Sequence, residues 1–200
     1  MPHHRKAYYI INGITVYRII AAPILLWLII IGRNDIFKWL LAISFLTDFI
    51  DGWLSRRFKV SSIIGAKLDS IGDDLTVAVG IIGVFISAPE FIQQHKLIFL
   101  ALLFLFLIQL GYALIQYRKM TNFHTYLAKL AAILQGVFLI LFYFLPDPVM
   151  PLFYAAAGVT GVQIIEEIIL IRMLPEWEAD VKGIFWVLQR KKRDESSSLN

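Results

Sequence analysis

Four aspartates stand at spacings that could build a cation site. They read Asp48-x-x-Asp51-Gly52-x-x-Ser55-Arg56, then eight residues, then Gly65-x-x-x-Asp69-x-x-x-Asp73. On helices, Asp48 and Asp51 are i, i+3 and share one face, while Asp69 and Asp73 are i, i+4 and share another. Two facing helices would aim four carboxylates into one cleft, an all-oxygen site suited to hard divalent cations such as Mg²⁺ or Mn²⁺. The surrounding sequence is apolar. An Asp at the centre of a membrane helix costs roughly 2.5–3.5 kcal/mol, so four uncompensated ones approach ~10 kcal/mol or more. Something positive must therefore sit among them. A purely structural cluster with Arg56, Arg57 and Lys67 would also supply that charge, but intramembrane carboxylates are functional by default.

The elements that must position these residues are membrane helices. Of 200 residues, 58% are hydrophobic, and the mean hydropathy is +0.70; both describe an integral membrane protein. No cysteine is present, which excludes disulfides and thiolate metal sites. Six spans are expected, at about 14–31, 36–58, 63–88, 95–117, 126–145 and 149–172. The first is expected to be a retained span rather than a cleaved signal. Breaks fall at Gly32-Arg33-Asn34-Asp35, 59–62, Ala88-Pro89-Glu90, 118–124 and Pro146-Asp147-Pro148.

The positive-inside rule sets the expected orientation. With the N-terminus inside, cytoplasmic segments hold Arg5, Lys6, Arg56, Arg57, Lys59, Arg118, Lys119, Arg172, Lys182 and Arg190 to Arg193. The other side holds Arg33, Lys38 and Lys96. Both termini are then cytoplasmic, and all four aspartates fall in the cytoplasmic halves of their helices. Gln109, Lys129, Gln135, Glu166 and Glu167 gather at the same side, and the outer halves are nearly pure hydrocarbon. The expected fold is all-α integral membrane, with six transmembrane helices around a polar cavity open to the cytoplasm. A short N-terminal juxtamembrane segment precedes them. One membrane domain over 1–175 is followed by an amphipathic, basic tail over 176–200.

The aspartate pattern resembles the signature of the CDP-alcohol phosphatidyltransferase family, D-x2-D-G-x2-A-R-x8-G-x3-D-x3-D. Seven of its eight defined positions match, Ser55 standing for Ala. Ser keeps that position small, so a ligand can still approach the backbone. The span count extends the resemblance to most of the chain, and its glycerol 3-phosphate (phosphatidylglycerophosphate synthase) branch is favoured. The resemblance implies phospholipid biosynthesis: transfer of the phosphatidyl group of CDP-diacylglycerol to an alcohol hydroxyl, releasing CMP. It implies two divalent cations, Mg²⁺ or Mn²⁺, on Asp48, Asp51 and Asp69, with Asp73 as general base that also reaches a metal. Asp48, Gly52, Ser55, Arg56, Gly65 and Asp69 would bind the CDP moiety. Asn12-x-x-Thr15-x-x-Arg18 resembles a stretch opening the first span in this family, which adds Thr15 to the nucleotide contacts. The implied partners are the lipid bilayer, CDP-diacylglycerol, a polar alcohol and a second copy of the chain; no nucleic acid is involved.

The acceptor is read from spare bases. Lys67, Arg118 and Lys129 tilt the expectation toward a phosphorylated acceptor, glycerol 3-phosphate first, bound by Arg118 and Lys129, with serine, inositol phosphate or phosphatidylglycerol as the other acceptors. Leu68-Asp69-Ser70 looks more like the serine and inositol-phosphate branches. The alternative from another class is a divalent-metal or proton-coupled transporter, but no polar residues continue a path through the outer halves. Asp74, turned about 100° from Asp73 on a helix, is expected to be solvated or paired. The Glu166-Glu167 pair is expected to partner a base. His3, His4, His95 and His124 are expected to be solvated. Gly72, Thr76, Gly80 and Gly83 make a small-residue face on the third helix, available to a dimer or to packing within one subunit. Trp177, Val181, Ile184, Phe185 and Leu188 recur at helical spacing beside bases, which reads as an interfacial helix against anionic lipid.

Overall fold

The computed structural model describes the backbone of residues 2–58, 63–121 and 123–198, and among these the side chains of residues 13, 16–47, 50, 71–121 and 123–193. Seven helices and no extended strands occur among the described residues: α1 (Pro2–Ile30), α2 (Asn34–Phe58), α3 (Ile63–Ser87), α4 (Pro89–Tyr117), α5 (Tyr126–Phe144), α6 (Met150–Met173) and α7 (Ile184–Ser198). Among them α4, α5 and α6 are long and apolar enough to cross a membrane. The side chains of α4 explain why: Leu103, Phe104, Leu107 and Ile115 are exposed, the last by 83%. Such a face is stable against lipid and not against water.

The chain forms two compact units, Met1–Gln94 with Leu139–Asp147, and His95–Phe138 with Pro148–Asn200. In the first, α1 packs on both α2 and α3. Its core stripe runs through Ala22, Leu25, Leu28 and Ile29 against Phe37 and Leu41 of α2 and Val79 of α3. These positions repeat at the spacing of one helix face. α1 begins at Pro2, some dozen residues before the expected start, with proline at the position where its missing N–H costs nothing. It ends at Gly32 (φ 73), where Gly32 N–H donates to Ile29 O at 3.2 Å and Arg33 N–H to Leu28 O at 2.9 Å. That crossed pair closes the last carbonyls of the helix, and its left-handed residue favours glycine. Pro23 lies inside the helix and removes one ladder bond.

The small-residue face of α3 is used inside the subunit. Tyr143 stacks edge-on against Phe37 at 4.9 Å and its hydroxyl donates to Gly80 O at 3.0 Å. A Cβ at Gly83 would stand 2.3 Å from Tyr143 Oη and 2.9 Å from Phe37 Cζ; one at Gly80 would stand 2.8 Å from Leu139 Cδ1. Thr76 is buried and returns its hydroxyl to Gly72 O at 2.8 Å, which removes an orphan donor from the apolar interior. Gly83→Ala is therefore expected to destabilise by about 1–3 kcal/mol through overpacking. Gly111→Ala, where an added Cβ meets nothing within 4 Å, should be neutral or stabilise by up to about 1 kcal/mol. Thermal unfolding midpoints in detergent compare the two.

In the second unit, α4 carries a kink at His95 (φ −112, ψ 17). The expected span start at 95 marks that kink; the helix itself starts at Pro89, again with proline leading. His95, expected to be solvated, is half-buried. Its ring packs against Phe153 at 4.9 Å and its Nε2 lies 3.5 Å from Tyr154 Oη. α6 starts with Pro151 in its first turn and ends at Leu174 in an extended conformation, as the following Pro175 requires. Tyr117 Oη donates to Ile171 O at 3.1 Å and Leu174 O at 2.8 Å, and Lys191 Nζ to Met173 O at 2.7 Å. The open carbonyls of α6 are thus closed by a hydroxyl and a cation.

The tail differs from its expected form. Helix α7 starts at Ile184, so Trp177 and Val181 lie before it. Asp180 (φ 56) and Gly183 (φ 143) interrupt the run. The apolar period over 177–188 arises because Val181 and Val187 are buried in one cluster with Leu170, Ile171 and Leu174, not because one helix carries them all. Trp177 instead donates its indole N–H to Met120 O at 3.0 Å.

Candidate functional site

The carboxylate motif lies on the end of α2 and the beginning of α3, as expected. The side chains of Thr15, Asp48, Asp51, Gly52, Ser55, Arg56, Gly65 and Asp69 lie outside the described residues, so the nucleotide and cation contacts expected of them remain expectations. Asp73 is described, and so is the residue that meets it. Arg18 of α1 donates from Nη1 to Asp73 Oδ1. The Arg18 side chain is 0% exposed and that of Asp73 41%.

This pair follows from the packing of α1 on α3. Arg18 continues the stripe that buries Ala22, Leu25 and Ile29, so its guanidinium has no water to solvate it and needs a carboxylate. Gly72 lies against the Arg18 side chain: an added Cβ would stand 3.5 Å from Arg18 Cβ and 3.7 Å from its Cζ, ordinary contact distances, so the pair does not depend on a glycine there. Asp73 in turn is held at one oxygen while its carboxylate stays partly open to the outside of the core. Asp74 is exposed beside it. Arg18 was seen in sequence only as the end of the Asn12-x-x-Thr15-x-x-Arg18 stretch. Its pairing with Asp73, 55 residues away, had no local signal.

No group of three His, Cys, Asp or Glu placed to hold a metal occurs among the described residues, and three of the four motif aspartates lie outside them. The chemistry of the donor set still decides the fit. Asp73 presents a part-exposed carboxylate, and the motif contains no imidazole or thiolate, which suits a hard divalent cation and excludes a soft-metal site.

The expected acceptor bases stand in the second unit. Arg118 follows α4 directly, exposed, with φ 55. Lys129 lies exposed in the first turns of α5, its Nζ 5.6 Å from the centre of the Tyr126 ring. That turn is fixed by Thr125, whose Oγ1 accepts from Ala128 N–H at 3.1 Å, an N-terminal cap.

Each of the two glutamates has neutral partners among the described contacts. Glu167 Oε2 accepts from Gln109 Nε2 at 2.8 Å and Thr121 Oγ1 at 3.0 Å, and its Oε1 accepts from Gln163 Nε2 at 2.5 Å. One turn along, Gln135 Nε2 donates to Thr160 Oγ1 at 2.6 Å. Neutral donors on α4, α6 and the 118–125 loop therefore reach the Glu167 carboxylate within an apolar helix. Glu166 Oε1 accepts from Ile184 N–H at 3.4 Å, at the start of α7. A Cβ at Gly183 would stand 2.9 Å from that oxygen, a contact the Glu166 side chain could relieve, so it is the φ of 143 that calls for glycine there.

Comparison with known proteins bears on the motif. The model of the CDP-alcohol phosphatidyltransferase family matches residues 8–170. A CDP-diacylglycerol–glycerol-3-phosphate 3-phosphatidyltransferase of Pseudomonas fluorescens is 33% identical over 94 residues, covering 46% of this chain and 45% of that one. A CDP-diacylglycerol–inositol 3-phosphatidyltransferase 1 of Arabidopsis thaliana is 31% identical over 102 residues, covering 51% and 43%. The chain thus spans less than half the length of either relative. No solved structure matches.

Proposed function

The chain belongs to the CDP-alcohol phosphatidyltransferase family, and on that premise we propose that it is a phospholipid-synthesising enzyme that transfers the phosphatidyl group of CDP-diacylglycerol to a polar alcohol, releasing CMP. The observation that carries this reading is the aspartate motif at family spacing, inside a family match that covers residues 8–170. Nothing in the comparisons favours the transporter alternative.

In this reading Asp48, Asp51 and Asp69, with Asp73, hold two divalent cations, Mg²⁺ or Mn²⁺. When bound, these neutralise the pyrophosphate and the charge developing on the departing CMP. Arg56 binds the pyrophosphate by charge-assisted hydrogen bonds, while Thr15, Gly52, Ser55 and Gly65 shape the nucleotide's seat. Asp73 takes the proton of the acceptor hydroxyl as its oxygen attacks the phosphatidyl phosphorus. The bond from that phosphorus to the CMP oxygen breaks, and CMP leaves with the electron pair. Arg18 keeps the Asp73 carboxylate in place for that transfer. Six spans form one membrane domain over 1–175, with the tail over 176–200. Both termini and the site face the cytoplasm of a cell membrane. The protein is a homodimer, as the family resemblance implies; the Gly80 and Gly83 face of α3 does not supply its interface, because Leu139, Tyr143 and Phe37 occupy it.

Glycerol 3-phosphate is the favoured acceptor. The support is the exposed pair Arg118 and Lys129 together with the glycerol-3-phosphate relative. The inositol relative is nearly as similar, so substrate assays must decide. Purified protein given CDP-diacylglycerol and a panel of phosphorylated and unphosphorylated alcohols should release CMP fastest with glycerol 3-phosphate, and not at all in chelator. Lys129→Ala and Arg118→Ala should each raise the KM for that acceptor roughly ten- to a hundredfold, the worth of one charge-assisted contact, with little change for CDP-diacylglycerol. Full turnover in chelator would remove the cations from the mechanism. Equal losses with every alcohol would remove the two bases from the acceptor site.

A further inference from the structure

The tail helix has an outward side that the proposed reaction does not use. Its inward side is fixed: Val187 is buried with Leu170, Ile171 and Leu174, Ile184 packs on the same cluster, and Lys191 caps the last turn of α6. Helix α7 is therefore held at the end of a helix long and apolar enough to span a bilayer. The layer beside such an end is the headgroup region.

The outward residues suit that layer. Phe185, Trp186 and Leu188 are 60%, 42% and 47% exposed, too much apolar surface for a short helix facing water. The next turn reads Arg190-Lys191-Lys192-Arg193; Arg190 pairs with Glu178 at 2.8 Å and Lys191 caps α6, so the exposed Lys192 and Arg193 are the bases that carry the charge of this turn outward. Apolar and basic residues are thus separated along the helix axis: the first turn can dip toward the acyl chains while the following turn stays among the headgroups. Two further bases stand over aromatic rings in the same unit, and one of those rings contacts Trp186. Trp186 lies 5.0 Å from the Tyr126 ring, Lys129 stands over Tyr126, and Lys119 stands 5.4 Å over Trp177. Trp and Tyr collect at this depth of a membrane, and a base beside them selects anionic lipid over zwitterionic.

We propose that the outward side of α7, from Phe185 to Arg193, is a docking surface for the anionic headgroups of the bilayer in which α6 sits. The inference requires α6 to lie in a membrane and does not depend on the phosphatidyl-transfer reading, so a failed activity assay leaves it standing. Because the chain has no cysteine, Gln189→Cys gives a single spin-label position, exposed between Leu188 and the basic turn. The full labelled chain is placed in nanodiscs of phosphatidylcholine, with and without phosphatidylglycerol. Collision rates with oxygen and with a water-soluble nickel chelate are then measured. With phosphatidylglycerol the label should lose nickel collisions and gain oxygen collisions, and high salt should reverse the change. Adding Lys192→Gln and Arg193→Gln should move the label back toward water, by about fivefold in the docked-to-free ratio for each base. Equal nickel access in both lipids would overturn the proposal. So would a label shielded from both reagents in both lipids, which would show protein, a second copy or another part of the chain, covering the face.

Discussion

Asp73→Asn is expected to abolish CMP release while leaving CDP-diacylglycerol binding largely intact. Asp48→Asn and Asp69→Asn are expected to weaken cation and nucleotide binding together. The contrast comes from the roles. A base acts only when the acceptor hydroxyl arrives, so its loss appears in turnover and not in ground-state binding. The amide nearly matches the carboxylate in shape and Arg18 can still donate to its oxygen, so the fold should be retained, although the buried Arg18 charge facing a neutral partner lowers its stability. General-base catalysis contributes about 10²- to 10⁴-fold, which sets the smallest expected loss; a larger one would follow if Asp73 also holds a cation. Equilibrium binding of a labelled CDP-diacylglycerol and single-turnover CMP release separate the effects. If Asp73→Asn retained a near-normal rate, the base would have to be another residue.

The helix plan was legible where apolar runs meet residues that cannot continue them. Gly32, Ala88 and the Pro146-Asp147-Pro148 break all fall between helices in the structure, with Pro89 opening α4. Their effects are local: a left-handed φ, a missing N–H, a clash with the preceding turn. The start of α1 was missed because hydropathy stops at polar residues while a helix does not; the stretch from Pro2 holds no residue that forces an end. The start of α7 was missed for the opposite reason. Burial repeated at helical spacing through Trp177 and Val181, although Asp180 and Gly183 take positive φ and break the backbone there. Glu166 and Glu167 were visible as costly residues in an apolar helix. Their partners were not, because a backbone amide 18 residues on and a glutamine 58 residues back become neighbours only in the tertiary fold.

The same limit applied to Arg18, and it leads to the second large effect. Arg18→Met is expected to destabilise the chain by about 1–3 kcal/mol, less than for a fully buried pair, because the Asp73 carboxylate it leaves is 41% exposed and water screens part of its charge. Arg18→Lys should recover only part of that loss, since an ammonium cannot reproduce the planar fork of donors that a guanidinium offers. The informative variant combines Arg18→Met with Asp73→Asn. A buried ion pair replaced by neutral groups of similar volume is often close to neutral in stability, so the double variant should regain more than half of the loss in unfolding midpoint. Turnover should stay absent, because the base is gone. Thermal unfolding in detergent and CMP release, measured on the two single variants and the double, give a coupling energy and a rate that must diverge. If the double variant were as unstable as the sum of its parts, Arg18 would be supporting the fold through its other contacts. If Arg18→Met kept both stability and rate, the pair would have no part in holding the carboxylate.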